Sequence, residues 1–600
     1  MIWKLSMTGI KSRLRDYMIL FSGLAIASAI FYMFQSIATN KAFLESSNTV
    51  KMAAVIFQFG TVLLGIITVV YILYANSFLM MLRQKTYAML MMLGAKTSKI
   101  AQIIFLETFI IGFAATIIGN LVGIGLTSVV NYLLVNQLEI TVKNFSPFNL
   151  SAMIWTFVFF GILFIVTAFI NAGSIMKKPI LQLLKEQAMP KALKIHPVLL
   201  VLETIVGVIS LGIGYYMLAH INQYQLFGIA IALVTIVLGS YLLFHAIAIF
   251  VLSILKRIDA ISMRKLNNFT LSQLTFRIRE YTQILTMVAI LFAMAMGAIT
   301  VGLGFRTQTL ESTNKSATYD LILNNSQKVD TSKVSALNPT VNDTYSQKED
   351  ETTLYYNADE FNEQPFQDKD FQSQKVINYS GKDMLENQQL AEKLRWYGTP
   401  EQQNKEIKFV STEEFNQLAL PTTNMELISV SNFKESLPQI KKLVEENTTN
   451  NPSLATGDGF NQTAQKYVMY QISNSLYSGF QFMGFFLGLA FLTMLASCLM
   501  FKILSSANTD KARFQMLRKI GTRPSLLKGA IRKEIGVLFL LPGILGIIHV
   551  LFGLQMFKEL MSDPYHGIWI PFSLFIFLYA IYYVITVVIY GSIVLPKESE

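Results

Sequence analysis

Few residues in this 600-residue chain have the types and spacing that catalysis or ligand capture requires. Gly94-Ala95-Lys96-Thr97 looks superficially like a phosphate-binding turn. GxxxxGK[ST] needs a glycine immediately before the lysine, however, and Ala95 stands there. Gly302-Leu303-Gly304 lacks the third glycine of a dinucleotide turn and lies in an apolar run. The five histidines, His196, His220, His245, His549 and His566, include no i,i+4 pair and have no cysteine beside them, so no metal site is expected. The single cysteine, Cys498, excludes an intrachain disulfide framework. The chain therefore reads as non-catalytic, with no cofactor of its own.

Four ionisable residues in apolar surroundings keep more than one reading. His245 and His549 are either polar side chains packed inside a helix bundle or a substrate or proton site, because ionisable groups inside a membrane are rare by cost. Glu107 and Glu534 stand near the start of apolar runs, close to Lys99 and to Arg532 and Lys533. They are interfacial carboxylates paired with those cations, ties between an amphipathic helix and the membrane helix after it, or parts of a proton relay.

The elements that would position these residues are clearest in Lys511–Pro542, KARFQMLRKIGTRPSLLKGAIRKEIGVLFLLP. Phe514, Leu517 and Ile520 fall at helical spacing, with Arg513, Arg518 and Lys519 on the remaining surface. Gly521 is placed as a helix C-cap, and Thr522 as the cap of a second helix after Pro524. That second helix carries Lys528, Arg532 and Lys533 before turning apolar, as a helix entering a membrane from a basic side does.

Sliding the chain by 427 residues lays Met89–Gly119 on Met516–Gly546 without a gap. Eight positions are then identical: Met89/Met516, Leu90/Leu517, Gly94/Gly521, Ser98/Ser525, Ile104/Ile531, Glu107/Glu534, Ile117/Ile544 and Gly119/Gly546, while Lys96 falls on Arg523. Arg13-Leu14-Arg15-Asp16-Tyr17 is echoed by Arg277-Ile278-Arg279-Glu280-Tyr281, and Gly173-Ser174-Ile175 by Gly591-Ser592-Ile593. All three echoes run in the same order, so an internal duplication is expected.

The composition, 52% hydrophobic and 14% charged with mean hydropathy +0.45, is that of a polytopic membrane protein. Ten stretches are long enough to span, at about 17–38, 53–75, 102–126, 152–175, 198–219, 226–255, 284–304, 475–501, 535–556 and 570–590. The segments predicted to be cytoplasmic hold 29 of the 49 Lys and Arg, and the short external loops hold 4. That asymmetry accounts for the net charge of +11 as membrane topology and not as a nucleic-acid surface. It puts both termini inside. The first apolar run can span and lacks a small-residue cleavage site, so no cleavable signal peptide is expected. Trp3–Arg15 has the pattern of a helix lying in the cytoplasmic interface.

Phe305–Tyr470 is the one large insertion, and its 24 acidic and 16 basic residues make it net acidic. Topology puts it outside. Strand-like pieces at Tyr319–Leu323, Thr353–Tyr356, Val376–Tyr379, Phe409–Ser411 and Glu426–Val430 alternate with helix-like Glu413–Leu418 and Phe433–Glu446. The fold class is thus an all-α polytopic membrane protein of about ten spans, duplicated 4+2+4, with one α+β extracellular domain between helices 7 and 8. Its parts are 1–175 (first four-helix half), 176–264 (linking helices 5 and 6), 265–304 (amphipathic segment and helix 7), 305–470 (extracellular domain) and 471–600 (helices 8 to 10). Gly119-x-x-x-Gly123 and Gly484-x-x-x-Gly488 permit close helix packing. The two repeated amphipathic helices either float on the inner leaflet or, as their apolar faces and glycine corners favour, dock into grooves of a cytoplasmic partner.

Gly239-Ser240-Tyr241-Leu242-Leu243-Phe244, the run Asn268…Ser272-Gln273-Leu274…Arg277, and Lys511–His549 with Leu517-Arg518-Lys519-Ile520-Gly521 and Phe539-Leu540-Leu541-Pro542 resemble the FtsX-like permeases. Within that family the likeness is greatest to the bacitracin-resistance (Bce-type) permeases of ABC transporters, over nearly the whole membrane part. The resemblance implies a permease bound to two copies of a separate cytoplasmic ABC ATPase, with ATP and magnesium held there. Met89, Leu90, Gly94, Lys96, Phe514, Leu517, Gly521 and Arg523 would then meet the ATPase, and Glu107 and Glu534 would anchor those contacts. It also implies a bacterial cytoplasmic membrane, a peptide antibiotic or its lipid-carrier complex as substrate, membrane lipids, and a membrane histidine kinase as a further partner. Thr86 stands where the family usually has an acidic residue, which weakens or alters the first docking point. Alternatives are a regulator of cell-wall hydrolases, whose relatives usually have four spans, a lipid- or lipoprotein-extracting permease, and a secondary transporter, which calls for midplane charges hardly present here.

Overall fold

The computed structural model describes residues 2–12, 14–44, 48–138, 145–176, 197–264, 266–370, 373–455, 465–558, 560–561 and 563–595. Among them, ten helices are long and apolar enough to cross a membrane: Phe21–Thr39, Ala53–Leu73, Thr97–Gln137, Leu150–Ser174, Val198–Ala219, Ile221–Arg257, Asn267–Arg306, Lys466–Ala507, Pro524–Phe557 and Trp569–Val594. They are the expected ten, called spans 1 to 10 below, and one small sheet-containing domain stands between spans 7 and 8. This is an all-α polytopic membrane fold with a mixed domain.

Packing repeats between the two sets of four. Span 1 runs along span 3, and span 3 along span 4; span 7 runs along span 9, and span 9 along span 10. Span 8 is the central post, touching spans 1, 2, 3, 7, 9 and 10. Spans 5 and 6 pack on each other and on spans 7 and 9. The glycine motifs lie at the closest approaches. A Cβ on Gly484 would stand 2.3 Å from the Ala298 carbonyl oxygen, and one on Gly119 2.7 Å from that of Ala25. No side chain fits there, and backbones meet.

Two helices are far longer than a bilayer requires. Asn267–Ser316, which contains span 7, has 50 residues, and Lys466–Lys519, which contains span 8, has 54. At ~1.5 Å per residue the second is about 80 Å long against a hydrocarbon core of about 30 Å. The amphipathic segment before Gly521 is therefore not a separate helix. It is the far end of span 8, and Asn48–Met92 joins span 2 to the first corner in the same way. At the amino end, the amphipathic segment is the helix Ile2–Ser12, packed on span 3.

The mixed domain has a five-stranded sheet in the order β1-β7-β2-β3-β6, formed by β1 (Leu321–Asn324), β2 (Pro339–Glu349), β3 (Thr353–Asn357), β6 (Glu406–Val410) and β7 (Thr422–Val430). Strands β4 (Phe366–Lys369) and β5 (Val376–Tyr379) form a separate antiparallel pair. Both sheet faces are covered. Tyr319, Tyr345, Tyr356, Phe361 and Leu427 fill one side, and Leu321, Leu323 and Ile428 pack with helix Phe433–Asn450 on the other. The domain is clamped to both long helices. Lys466 Nζ lies 2.5 Å from Asp320 Oδ1, Asp320 Oδ2 accepts from the Val430 amide at 2.7 Å, and Lys369 donates to the Asn314 carbonyl at 2.6 Å. Asp320 and Lys466 are largely buried, so their charges hold each other and cannot trade easily for water.

Candidate functional site

The two corners close in the same way. At the first, the Gly94 amide donates to Met91 and the Ala95 amide to Leu90, both at 3.0 Å. At the second, Gly521 donates to Arg518 at 2.9 Å and Thr522 to Leu517 at 3.1 Å. This is the Schellman closure, which requires a left-handed residue. Gly94 has φ +91° and Gly521 φ +94°. Nothing lies within 4 Å of a Cβ built on either, so the backbone alone demands glycine here. The next helices start at Thr97 and Pro524. Thr522 is not the cap of the second. Arg523 occupies that place without a side-chain bond, and Pro524 begins the helix, where its missing N–H is no loss.

Apolar side chains stand open at both tips. Leu93 is 85% exposed and Ile520, its equivalent in the other half, 74%. Met89 and Met92 at the first corner and Met516 at the second are exposed beside them, with Lys96 and Arg523 nearby. Leu90 is half-buried against Tyr87, Met91 and Ile100. Phe514 is buried edge-on to Phe269, ring centres 6.0 Å apart, and Leu517 packs half-buried on the same core. Of the apolar face expected from spacing, Ile520 alone is open. The first two residues turn inward, and the third falls in the last turn, where the chain swings away.

Beneath each corner lies a buried ionic cluster. Glu107 of span 3 pairs with Arg83, which lies on the helix of span 2, accepts from the Tyr87 hydroxyl at 2.9 Å and lies 3.5 Å from the Tyr17 hydroxyl. Below the second corner Arg277, on the helix of span 7, pairs with Asp510 of the span 8 helix. Its Nε lies 2.6 Å from Glu534 Oε1 of span 9, a contact of charges without an aligned hydrogen bond. Tyr590 of span 10 joins in, with its hydroxyl 2.9 Å from both Arg277 and Asp510. All five charged side chains are 9% exposed or less.

Glu107 and Glu534 thus take neither Lys99 nor Arg532 and Lys533 as partners. Lys99 lies two turns back and reaches Gln102, and Lys533 donates to Asn267 on another face of its helix. The real partners sit on other helices, so a reading of spacing missed Arg83, Asp510 and Tyr590. One signal was present: Asp510 is the only acidic residue in the basic run Lys502–Lys533.

The clusters differ in one respect that follows from the repeat. Arg83 and Asp510 occupy equivalent places, so the first helix end carries the cation and the second the anion. Glu107 and Glu534 are the same in both. In the second half the cation moves to span 7, and one guanidinium holds two carboxylates from two helices.

The histidines inside the bundle have partners. His549 has Nδ1 2.7 Å from the Tyr215 hydroxyl and Nε2 3.0 Å from Ser240 Oγ, and His245 Nδ1 lies 2.7 Å from Glu203 Oε2. Among the described residues, no three His, Cys, Asp or Glu side chains are grouped so as to hold a metal ion.

Comparison with known proteins matches residues 58–180, spans 2 to 4 with the first corner, to the family model described as "FtsX-like permease C-terminal". Three permeases of Bacillus subtilis (strain 168) align over most of their length. An uncharacterized ABC transporter permease, YvcS, is 23% identical over 98% of this chain and 98% of its own. The bacitracin export permease protein BceB is 21% identical over 97% and 96%, and the ABC transporter permease protein YxdM 24% over 93% of each. The chain therefore carries an FtsX-like permease domain, and its homologues are ABC transporter permeases.

Proposed function

We propose that this ABC transporter permease of the FtsX-like type couples ATP binding on a separate cytoplasmic ATPase to movement of its mixed domain on the outer face of a bacterial cytoplasmic membrane. The observation that carries this reading is the continuous helix Lys466–Lys519. One end is ion-paired into the mixed domain and the other ends at the corner that offers Met516 and Ile520. A rigid rod cannot tilt at one end alone. Two copies of the ATPase dock at the two corners, each gripping a methionine and a branched aliphatic side chain at matching positions.

The cargo reading comes from homology. One relative is by name a bacitracin export permease, so this complex handles cell-wall-targeting peptide antibiotics or their lipid-carrier complexes. It confers resistance and, with a membrane histidine kinase, helps sense them. ATP and magnesium belong to the ATPase. Coexpression with the ATPase should confer resistance that neither subunit gives alone. Exchanging 305–470 for the same domain of a relative with another spectrum should move peptide specificity while the ATPase still copurifies. If the spectrum stays with the membrane part, recognition lies between the helices.

Orientation follows from the basic corners. Protease added to intact spheroplasts should cut only within 305–470, and cleavage within 502–533 would invert the scheme.

A further inference from the structure

The helix Ile2–Ser12 buries Ser6 and Gly9 where it packs on span 3. Gly9 is its meeting point with the first ionic cluster. A Cβ there would stand 2.6 Å from Arg83 Nη1, so the guanidinium that pairs with Glu107 lies directly against this helix. The rest of its surface divides into two stripes at helical spacing. Trp3, Met7 and Ile10 form an apolar stripe, with Met7 and Ile10 half-buried and Trp3 56% exposed. Lys4, Thr8 and Lys11 form a basic stripe beside it, all three exposed. The helix contains no acidic residue, and neither lysine has an ion-pair or hydrogen-bond partner among the described residues.

The second half shows that the fold does not need this charge. Extending the echo of Arg13 and Arg277 backwards puts Asn268 and Thr275 where Lys4 and Lys11 stand, and Asn267 and Gln273 where Trp3 and Gly9 stand. Asn267 accepts from Lys533 at 2.8 Å and Gln273 from Arg513 at 3.0 Å, both cations of this chain. The first half instead brings its own cations and turns them outward. We propose that Lys4, Thr8 and Lys11 bind anionic phospholipid headgroups of the leaflet beside the first corner, with Trp3 at the acyl boundary, and that the lipid holds this helix down on Arg83 and so steadies that corner. The contact with Arg83 puts the helix beside Glu107, at the start of an apolar span, which is headgroup level. A lipid fits this face better than an acidic protein surface, because the basic stripe runs alongside an apolar one that acyl chains cover, while lysine heads stay among phosphates. The proposal goes beyond the functional reading above and needs neither cargo nor ATPase.

The test uses the full chain in phosphatidylcholine nanodiscs that carry an equal share of either brominated phosphatidylcholine or brominated phosphatidylglycerol. The fluorescence of Trp3 is taken as the difference between the wild type and Trp3→Phe. Brominated phosphatidylglycerol should quench it at least about twofold more strongly, and Lys4→Gln/Lys11→Gln should make the two lipids equal. Equal quenching in the wild type would overturn the headgroup assignment. Quenching by neither would place the helix off the membrane, leave the face to a protein partner and overturn the proposal altogether. Chymotrypsin cleavage after the exposed Leu93 reads the hold on the corner. Phosphatidylglycerol should slow it about twofold or more in the wild type and not in Lys4→Gln/Lys11→Gln. Gly9→Ala, which pushes the helix off Arg83, should keep the lipid preference of Trp3 and lose the slowing. Cleavage after Met516, at the corner without such a helix, should not respond to lipid. Lipid-selective quenching with no slowing at Leu93, or with equal slowing at both corners, would overturn the hold on the first corner.

Discussion

Arg277→Ala should abolish peptide resistance and loosen the second corner, with a larger effect than any other single substitution among the charged residues. Arg277 is buried and holds both Asp510 and Glu534. Removing one partner of a buried ion pair costs on the order of 3–5 kcal/mol, most of it from the charge left without a partner. Here two carboxylates from two helices lose their buried cation at once; Asp510 keeps the Tyr590 hydroxyl at 2.9 Å and Arg513 at 3.4 Å, and Glu534 keeps neither. Arg83→Ala strands Glu107 alone and leaves its hydrogen bond from Tyr87, so its effect should be the smaller. The measurement is ATPase copurification with limited proteolysis at 502–533, at matched expression. Asp510→Asn with Glu534→Gln in the Arg277→Ala background should recover much of the loss, because neutral partners no longer need a cation. If Arg277→Ala leaves both copurification and proteolysis unchanged, the cluster does not fix the corner.

The ten spans were legible in the sequence because a membrane helix is specified by a local run of apolar residues, and the corners were legible because glycine at a helix end is a local demand of the backbone. What escaped notice depends on distant residues. Strand β2, Pro339–Glu349, reads PTVNDTYSQKE, with little beyond Val341 and Tyr345 to mark a strand. It forms because β7 and β3 flank it on both sides. The partners of the two repeated glutamates escaped for the same reason: Arg83 and Arg277 lie on other helices, and no spacing rule reaches them. Phe514 was misplaced in a different way. Its helical spacing with Leu517 was right, but spacing gives a face and not its neighbour, and the neighbour is Phe269 of this chain.

Gly521→Val should leave expression and membrane insertion near normal yet uncouple the complex. The residue stands at φ +94°, where an ordinary side chain costs about 1–2 kcal/mol and a β-branched one more. Since no atom lies within 4 Å of the added Cβ, the penalty falls on the backbone and not on packing. A fold of this size survives that locally, but relief comes by turning the corner, which breaks the bonds from Gly521 to Arg518 and from Thr522 to Leu517. Ile520 and Met516 then face elsewhere, at the end of a rod about 80 Å long whose direction is otherwise unchanged. Peptide resistance should be lost, whether the ATPase copurifies less or as before. Gly94→Val meets the same backbone demand at φ +91°, but no mixed domain rides on the helix of span 2, so its effect should be milder. Gly521→Ala should be intermediate, because it pays the left-handed cost without a branched side chain. Full resistance in the Gly94→Val/Gly521→Val double variant, at wild-type expression, would show that the angle at these corners does not carry the force.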